Sequence, residues 1–216
     1  IPDEVSCGLE TVAVRMPSHT AARAIISAAG VPLAAPSANL SGSPSPTTAQ
    51  HVIDDMWGRA DAIVDGGMCD VGVESTVVSL VGNKPRLLRP GGISLEQLES
   101  VLGEVEVDRA VLAELEPGQQ AASPGMKYKH YAPKASMFII EGENSAEKIE
   151  ELIKEHKKNN LKVGVIAMTG KEYKADFIVT LSDDAKAYAN GMFDALRKFD
   201  SLGVDIILAE TFKDTD

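Results

Sequence analysis

Residues 124–133 read P-G-M-K-Y-K-H-Y-A-P and set two lysines, a histidine and two tyrosines between prolines. Proline lacks an amide donor and fixes φ, so this run fits neither a helix interior nor a central strand. Its cations suit an anion such as a phosphate, and its tyrosines bring flat faces and hydroxyl donors, which together describe a strap able to fold over a nucleotide. A second polar cluster lies upstream, where the apolar run V-P-L-A-A opens into a loop carrying Ser37, Asn39, Ser41, Ser43 and Ser45. Strand ends are where α/β folds place ligands. The same composition also fits a surface connector. Gly66-Gly67 and Gly72-Val73-Glu74-Ser75-Thr76 add backbone that can approach a ligand closely, followed by two hydroxyls; an ordinary hairpin or bulge is the competing reading. Arg15 closes T-V-A-V-R and Arg89 closes R-L-L-R, two guanidiniums at strand exits, where a fork can hold a carboxylate or phosphate through paired hydrogen bonds.

The elements that must position these groups fall into three zones. Residues 1–95 alternate between extended and helical patterns, with strands expected at 11–15, 32–35, 62–64, 75–80 and 86–88. Helices are expected at 19–29, capped by Ser18 and stopped by Gly30, and at 48–57. Residues 96–134 start as the end of a short amphipathic helix over 95–102 and decay into Glu, Pro, Gly, Gln and Ala, a linker composition. Residues 135–216 repeat strand and helix: strands at 137–140, 163–167, 177–181 and 206–209, a helix carrying Ile149, Leu152, Ile153 and His156 on one face, and a second carrying Tyr188, Met192, Leu196 and Phe199. That spacing predicts a small parallel sheet covered by helices. The fold class is therefore α/β, with a mixed sheet, a long linker and a second small parallel unit.

Composition narrows the function. A chain of 216 residues with 44% hydrophobic content can fill a core. No apolar run reaches the roughly 20 residues that a membrane helix needs, and no signal pattern opens the chain, so the cytoplasm is the expected compartment. Cys7 and Cys69 stand apart without metal-ligand spacing, and are expected to be reduced, buried small hydrophobes. A net charge of −11 disfavours a broad surface for nucleic acid, while a local patch at Lys127, Lys129, His130 and Lys134 stays compatible with weak RNA binding. No G-x-G-x-x-G follows the first strand of the last zone, which weakens a dinucleotide reading there.

The strings T-V-A-V-R-M-P, A-A-P-S-A-N-L-S-G, D-G-G, G-V-E-S-T-V-V, L-L-R-P-G and P-G-M-K-Y-K-H-Y-A-P, in this order and spacing, resemble the long form of the YrdC-like threonylcarbamoyl-AMP synthases. The resemblance implies a YrdC-like catalytic portion over 1–95, a helix and strap over 96–134 and a Rossmann-like extension over 135–216. It implies a nucleotidyltransferase that joins L-threonine, bicarbonate and ATP into threonylcarbamoyladenylate, with magnesium accompanying ATP and pyrophosphate leaving. A tRNA threonylcarbamoyl transferase complex would then use the product. By motif, Thr11, Ser37, Ser45, Arg89 and Tyr131 correspond to ATP contacts, and Arg15, Ala35 and Ser75 to the threonine pocket, with Asn39, Thr76, Lys129 and His130 as neighbours. No covalent nucleophile and no protein-held metal are implied. The family's basic triphosphate motif has no counterpart in these residues, so the resemblance implies a fragment cut at both ends and impaired by itself.

Two other classes fit parts of the chain. A hydrolase would pair Ser75 or Ser37 with His130, although no G-x-S-x-G elbow is present. A non-enzymatic RNA-binding or nucleotide-binding regulatory module would use the mixed cations and aromatics of K-Y-K-H-Y.

Overall fold

The computed structural model describes residues 1–6, 8, 10–112 and 132–212. Its first unit contains α1 (Asp3–Ser6), α2 (Thr20–Ala29), α3 (Ala49–Met56), β1 (Val77–Ser79), β2 (Arg86–Arg89), α4 (Leu95–Leu102), β3 (Glu106–Val107) and α5 (Arg109–Leu112). Local sequence sets the helix ends. Helix α2 stops where Gly30 takes φ 65° and its amide reaches back to Ile26, a left-handed turn that glycine adopts without strain. Thr48 caps α3 by accepting from the His51 amide, and Ser94 with Gln97 forms a reciprocal capping box at α4. Strands β1 and β2 pair antiparallel with a bulge between Val77 and Val78, and β2 pairs parallel with β3, giving the order β1-β2-β3.

The second unit comprises β4 (Ser136–Ile140), α6 (Ser145–Lys158), β5 (Val163–Met168), β6 (Phe177–Leu181), α7 (Ala185–Leu202) and β7 (Ile206–Glu210). Its sheet runs β4-β7-β5-β6, parallel throughout. Helices cover both faces. Ile166, Ile207 and Ala209 pack with Tyr188, Ala195, Leu196 and Phe199 of α7, whereas Val163, Val165, Ala167, Ile206 and Leu208 pack with Ile149 and Ile153 of α6. The alternation along β5 and β7 is the two-residue side-chain period of a strand, and their near-continuous burial is what a sheet covered on both faces requires. Gly164 completes the fit, because a Cβ there would lie 2.8 Å from the Phe199 ring. Phe199 is fully buried, and truncating such a ring costs about 3–5 kcal/mol.

Glu210 is buried at 3% exposure, and a buried carboxylate is tolerated only with partners. It accepts from the Tyr173 hydroxyl at 2.6 Å, the Met168 amide at 2.7 Å and the Lys171 ammonium at 3.2 Å. Tyr188 donates to the Glu210 carbonyl at 2.6 Å. Burial and the neighbouring carboxylate push the Tyr188 phenol up to about 12, and burial with the Glu210 bond pushes Tyr173 higher still. This knot ties the carboxyl ends of β5 and β7 together.

Several expectations need correction. Residues 11–15, 32–35 and 62–64 form no strands: an apolar run becomes a strand only beside a hydrogen-bonding neighbour, and among the described residues none lines up with these. Val14 is 88% exposed, Leu33 47% and Val64 64%, so these apolar side chains carry a strand-like pattern without the cover that a paired strand has, and Ile63 alone in the third run is partly buried. Ser18 does not cap α2; His19 occupies that position without a side-chain cap, and its ring Nε2 lies 3.1 Å from the Gly66 carbonyl instead. Linker composition hid β3, whose two residues are recruited by β2. Cys69 is exposed rather than buried, because its loop is held through its backbone. Cys7 lies outside the described residues. Among the described residues no helix is long and apolar enough to cross a membrane.

Candidate functional site

The loop that follows residues 32–35 is built by its own polar side chains. Asn39 donates to the Leu40 and Ser43 carbonyls, each at 3.0 Å, and its Oδ1 is buried with no partner among the described residues. Ser45 donates to Glu74 Oε1 at 2.5 Å, joining this loop to G-V-E-S-T. Thr76 donates to the Ile93 carbonyl at 2.7 Å and accepts from the Ile93 amide at 2.9 Å. Gly91 lies between these strands of chain, since a Cβ there would meet the Glu74 oxygen and the Thr76 nitrogen at 2.3 Å. Arg89 donates through Nε and Nη2 to the Ser75 carbonyl at 3.1 and 2.9 Å.

Ser45, Glu74, Ser75, Thr76 and Arg89 thus form one connected cluster. Thr11, Arg15, Ala35 and Ser37 lie on exposed chain outside the helices and strands, and among the described residues no hydrogen bond ties them to it. Lys129, His130 and Tyr131 lie outside the described residues. In this structure the cluster's donors are engaged within it, the Ser45 hydroxyl on Glu74, the Thr76 hydroxyl on Ile93 and Arg89 Nε and Nη2 on the Ser75 carbonyl, so hydroxyls and a guanidinium of the types that bind anions are gathered at one place.

A second feature escaped the sequence reading: α7 of the second unit grips the same loop. Arg197 donates to the Pro44 carbonyl through Nε at 3.0 Å and Nη2 at 2.6 Å, and to Asp55 Oδ2 at 2.6 Å. The two charged side chains are 11% and 10% exposed. The guanidinium bond holds the Asp55 carboxyl below its ordinary range, with a further contribution from the Leu40 amide. Asn190 donates to the Cys69 carbonyl at 2.9 Å, and Cys69 donates through its amide to the Thr47 carbonyl at 2.9 Å. Asn190, Asp194 and Arg197 are spaced four and three apart, one stripe of a helix, opposite the apolar stripe of Tyr188, Leu196 and Phe199. That polar stripe was the available signal, and a solvated face is the commoner meaning of such a pattern.

His51 sits at the seam. Its Nδ1 accepts from the Thr47 amide at 3.2 Å, so the neutral ring carries its proton on Nε2, 3.4 Å from Asp194 Oδ1. Burial, then Arg197, lowers the His51 pKa, outweighing the upward pull of Asp194, Asp54 and Asp55. Thr47 Oγ1 stands 3.4 Å from the same Nδ1, giving Thr47, His51 and Asp194 the outline of a hydrolytic triad. Thr47 is only 3% exposed and its own amide occupies the basic nitrogen, so the arrangement is a structural brace. Among the described residues no three metal-binding side chains converge.

A family model described as telomere recombination matches residues 1–91, and one described as threonylcarbamoyl-AMP synthase, C-terminal domain, matches residues 93–216. The chain is 49% identical over 215 residues to the threonylcarbamoyl-AMP synthase of Bacillus subtilis, covering 98% of this chain and 61% of that protein. It is 47% identical over 212 residues to the threonylcarbamoyl-AMP synthase of Pyrococcus abyssi, with 97% and 61% covered. The chain therefore spans 61% of the length of these two curated relatives. The crystal structure of P. abyssi Sua5 complexed with L-threonine matches at a TM-score of 0.91 and 46% identity, over 100% of this chain and 63% of that one. On the match of its residues 93–216, the chain belongs to the threonylcarbamoyl-AMP synthase family.

Proposed function

We propose that the protein to which this chain belongs is a nucleotidyltransferase that makes L-threonylcarbamoyladenylate from L-threonine, bicarbonate and ATP with release of pyrophosphate, and that this adenylate supplies the threonylcarbamoyladenosine modification of tRNA. The observation that carries this reading is the likeness over the whole chain to Sua5 solved with L-threonine, together with a cluster in which Ser45 bonds to Glu74 and Arg89 bonds to the carbonyl of the next residue, Ser75.

In this reading Arg15 forks onto the threonine carboxylate, with Ala35 and Ser75 lining that pocket. Thr11, Ser37, Ser45, Arg89 and Tyr131 face ATP, with Asn39, Thr76, Lys129 and His130 beside them. The threonine amine attacks the carbon of bicarbonate, which loses water to leave the N-carboxylate (carbamate) of threonine. A carbamate oxygen then attacks the α-phosphorus as pyrophosphate departs, so the protein's work is to position reactants and stabilise developing charge. Magnesium enters as part of the ATP substrate, carried by the phosphates. The proposed setting is the cytoplasm, with the product passed to a tRNA threonylcarbamoyl transferase.

The test uses the full-length protein and measures pyrophosphate release in magnesium-ATP with and without L-threonine and bicarbonate. Release that needs all three, and falls at least tenfold in Arg89→Ala, is expected. Absence of release from the unmodified protein, with RNA retained on it in a salt-dependent way, would overturn the reading in favour of an RNA-binding module.

A further inference from the structure

We propose that α7 of the second unit acts as a positioning element for the candidate site, with Arg197 as the residue that sets the Pro44–Ser45 peptide in place for nucleotide binding. The inference rests on the functional reading above, and adds a role for a helix that carries none of its proposed substrate contacts.

The geometry forms an unbroken path. Arg197 takes the Pro44 carbonyl with two donors, and that carbonyl belongs to the same peptide as the Ser45 amide. Pro44 is fully buried, so the peptide cannot turn toward water for an alternative partner. From Ser45 the path continues through its hydroxyl to Glu74 and through the following residue to Arg89. Asp55 accepts from the same Nη2 that reaches Pro44 while also accepting from the Leu40 amide at 3.2 Å, so one carboxylate ties the clamp to both ends of the loop over 40–45. A planar fork is needed for this work: it must satisfy a carbonyl and a carboxylate at once, which a lysine ammonium does with poorer geometry.

Two further contacts from the same helix stripe brace the loop's far end. Asp194 faces His51, which receives the Thr47 amide, and Asn190 holds the Cys69 carbonyl beside Thr47. Gly72 lets α7 come this close, since a Cβ there would lie 2.2 Å from the Asn190 carbonyl oxygen. The second unit therefore bonds directly to the loop at Pro44, reaches Leu40 through Asp55, and holds the neighbouring His51 and Cys69 through Asp194 and Asn190.

The experiment compares full-length protein with Arg197→Ala, Arg197→Lys and Asp55→Asn, using Lys186→Ala on the exposed face of α7 as control. Steady-state kinetics for ATP and for threonine are measured together with amide hydrogen exchange over residues 40–48. Arg197→Ala is expected to raise the KM for ATP about tenfold while kcat falls less than threefold, a loss of about 1.4 kcal/mol in binding. Exchange over 40–48 should quicken, with Arg197→Lys intermediate in both readouts and Lys186→Ala unchanged. Unchanged KM and unchanged exchange in a folded Arg197→Ala protein would overturn the proposal, as would a lowered melting temperature accompanied by wild-type kinetics. Should Arg197→Ala fail to fold, Arg197→Lys and Asp55→Asn decide by the same criteria. If the unmodified protein releases no pyrophosphate, the functional reading fails by itself, and calorimetric affinity for magnesium-ATP with the exchange data still decides the clamp.

Discussion

Removing the Asp55 carboxylate tests how much the seam between the two units holds. Asp55 accepts from Arg197 at 2.6 Å, and both side chains are about nine-tenths covered, so Asp55→Ala leaves a guanidinium with little water to replace its partner. Breaking a buried pair from one side costs about 3–5 kcal/mol. Arg197 keeps the Pro44 carbonyl, which places the expected loss at the lower end, about 3 kcal/mol. Arg197→Ala strands the carboxylate in the same way, whereas the double variant strands neither charge. Urea unfolding of the wild type, both single variants and the double variant at pH 7 should therefore give a coupling energy of about 2 kcal/mol. The pH dependence carries a definite sign. Arg197 lowers the folded pKa of Asp55 below its ordinary 3.8, so the stabilisation is fully present above 3.8 and is lost only as pH falls through the lowered folded value. Single-variant losses that sum to the double-variant loss within about 0.5 kcal/mol would refute the reasoning.

His51 adds a milder pH effect of the same sign. Its pKa is lowered from 6.5, so its contribution is complete above 6.5 and declines as pH falls through the folded value, and the wild type should lose more unfolding midpoint than His51→Ala between pH 8 and 5; parallel curves would contradict this. Glu210→Ala leaves the Tyr173 hydroxyl and Met168 amide without their acceptor, and should cost about 3 kcal/mol in urea unfolding; a loss below about 1 kcal/mol would show that water replaces the carboxylate.

The second unit was legible because period and burial agree there. Ile149 and Ile153 repeat at helical spacing, and V-G-V-I-A-M and I-I-L-A-E are short, largely apolar runs of the length and composition that a covered parallel sheet takes. The first unit was harder. Runs such as T-V-A-V-R carry a strand pattern, but pairing is a property of neighbours and not of the run, so residues 11–15 are unpaired among the described residues while Glu106 and Val107, unremarkable in sequence, are drawn into a sheet by β2. Ser45, Ser75 and Arg89 were singled out by type and by strand-exit position. Arg197, Asp55 and His51 were not, because their significance lies in contacts across 142 residues of chain in the case of Arg197 and Asp55, which no local pattern announces. Glu74 sat inside a motif noticed for its hydroxyls, and only the fold reveals that its carboxylate takes Ser45.

The central claim is best tested by following carbon from bicarbonate. Full-length protein incubated with isotopically labelled bicarbonate, L-threonine and magnesium-ATP should yield an adenylate whose mass contains threonine, the labelled carbon and AMP, with one pyrophosphate per adenylate. Pyrophosphate without labelled carbon in the adenylate, or no adenylate at all from folded protein, would contradict the account.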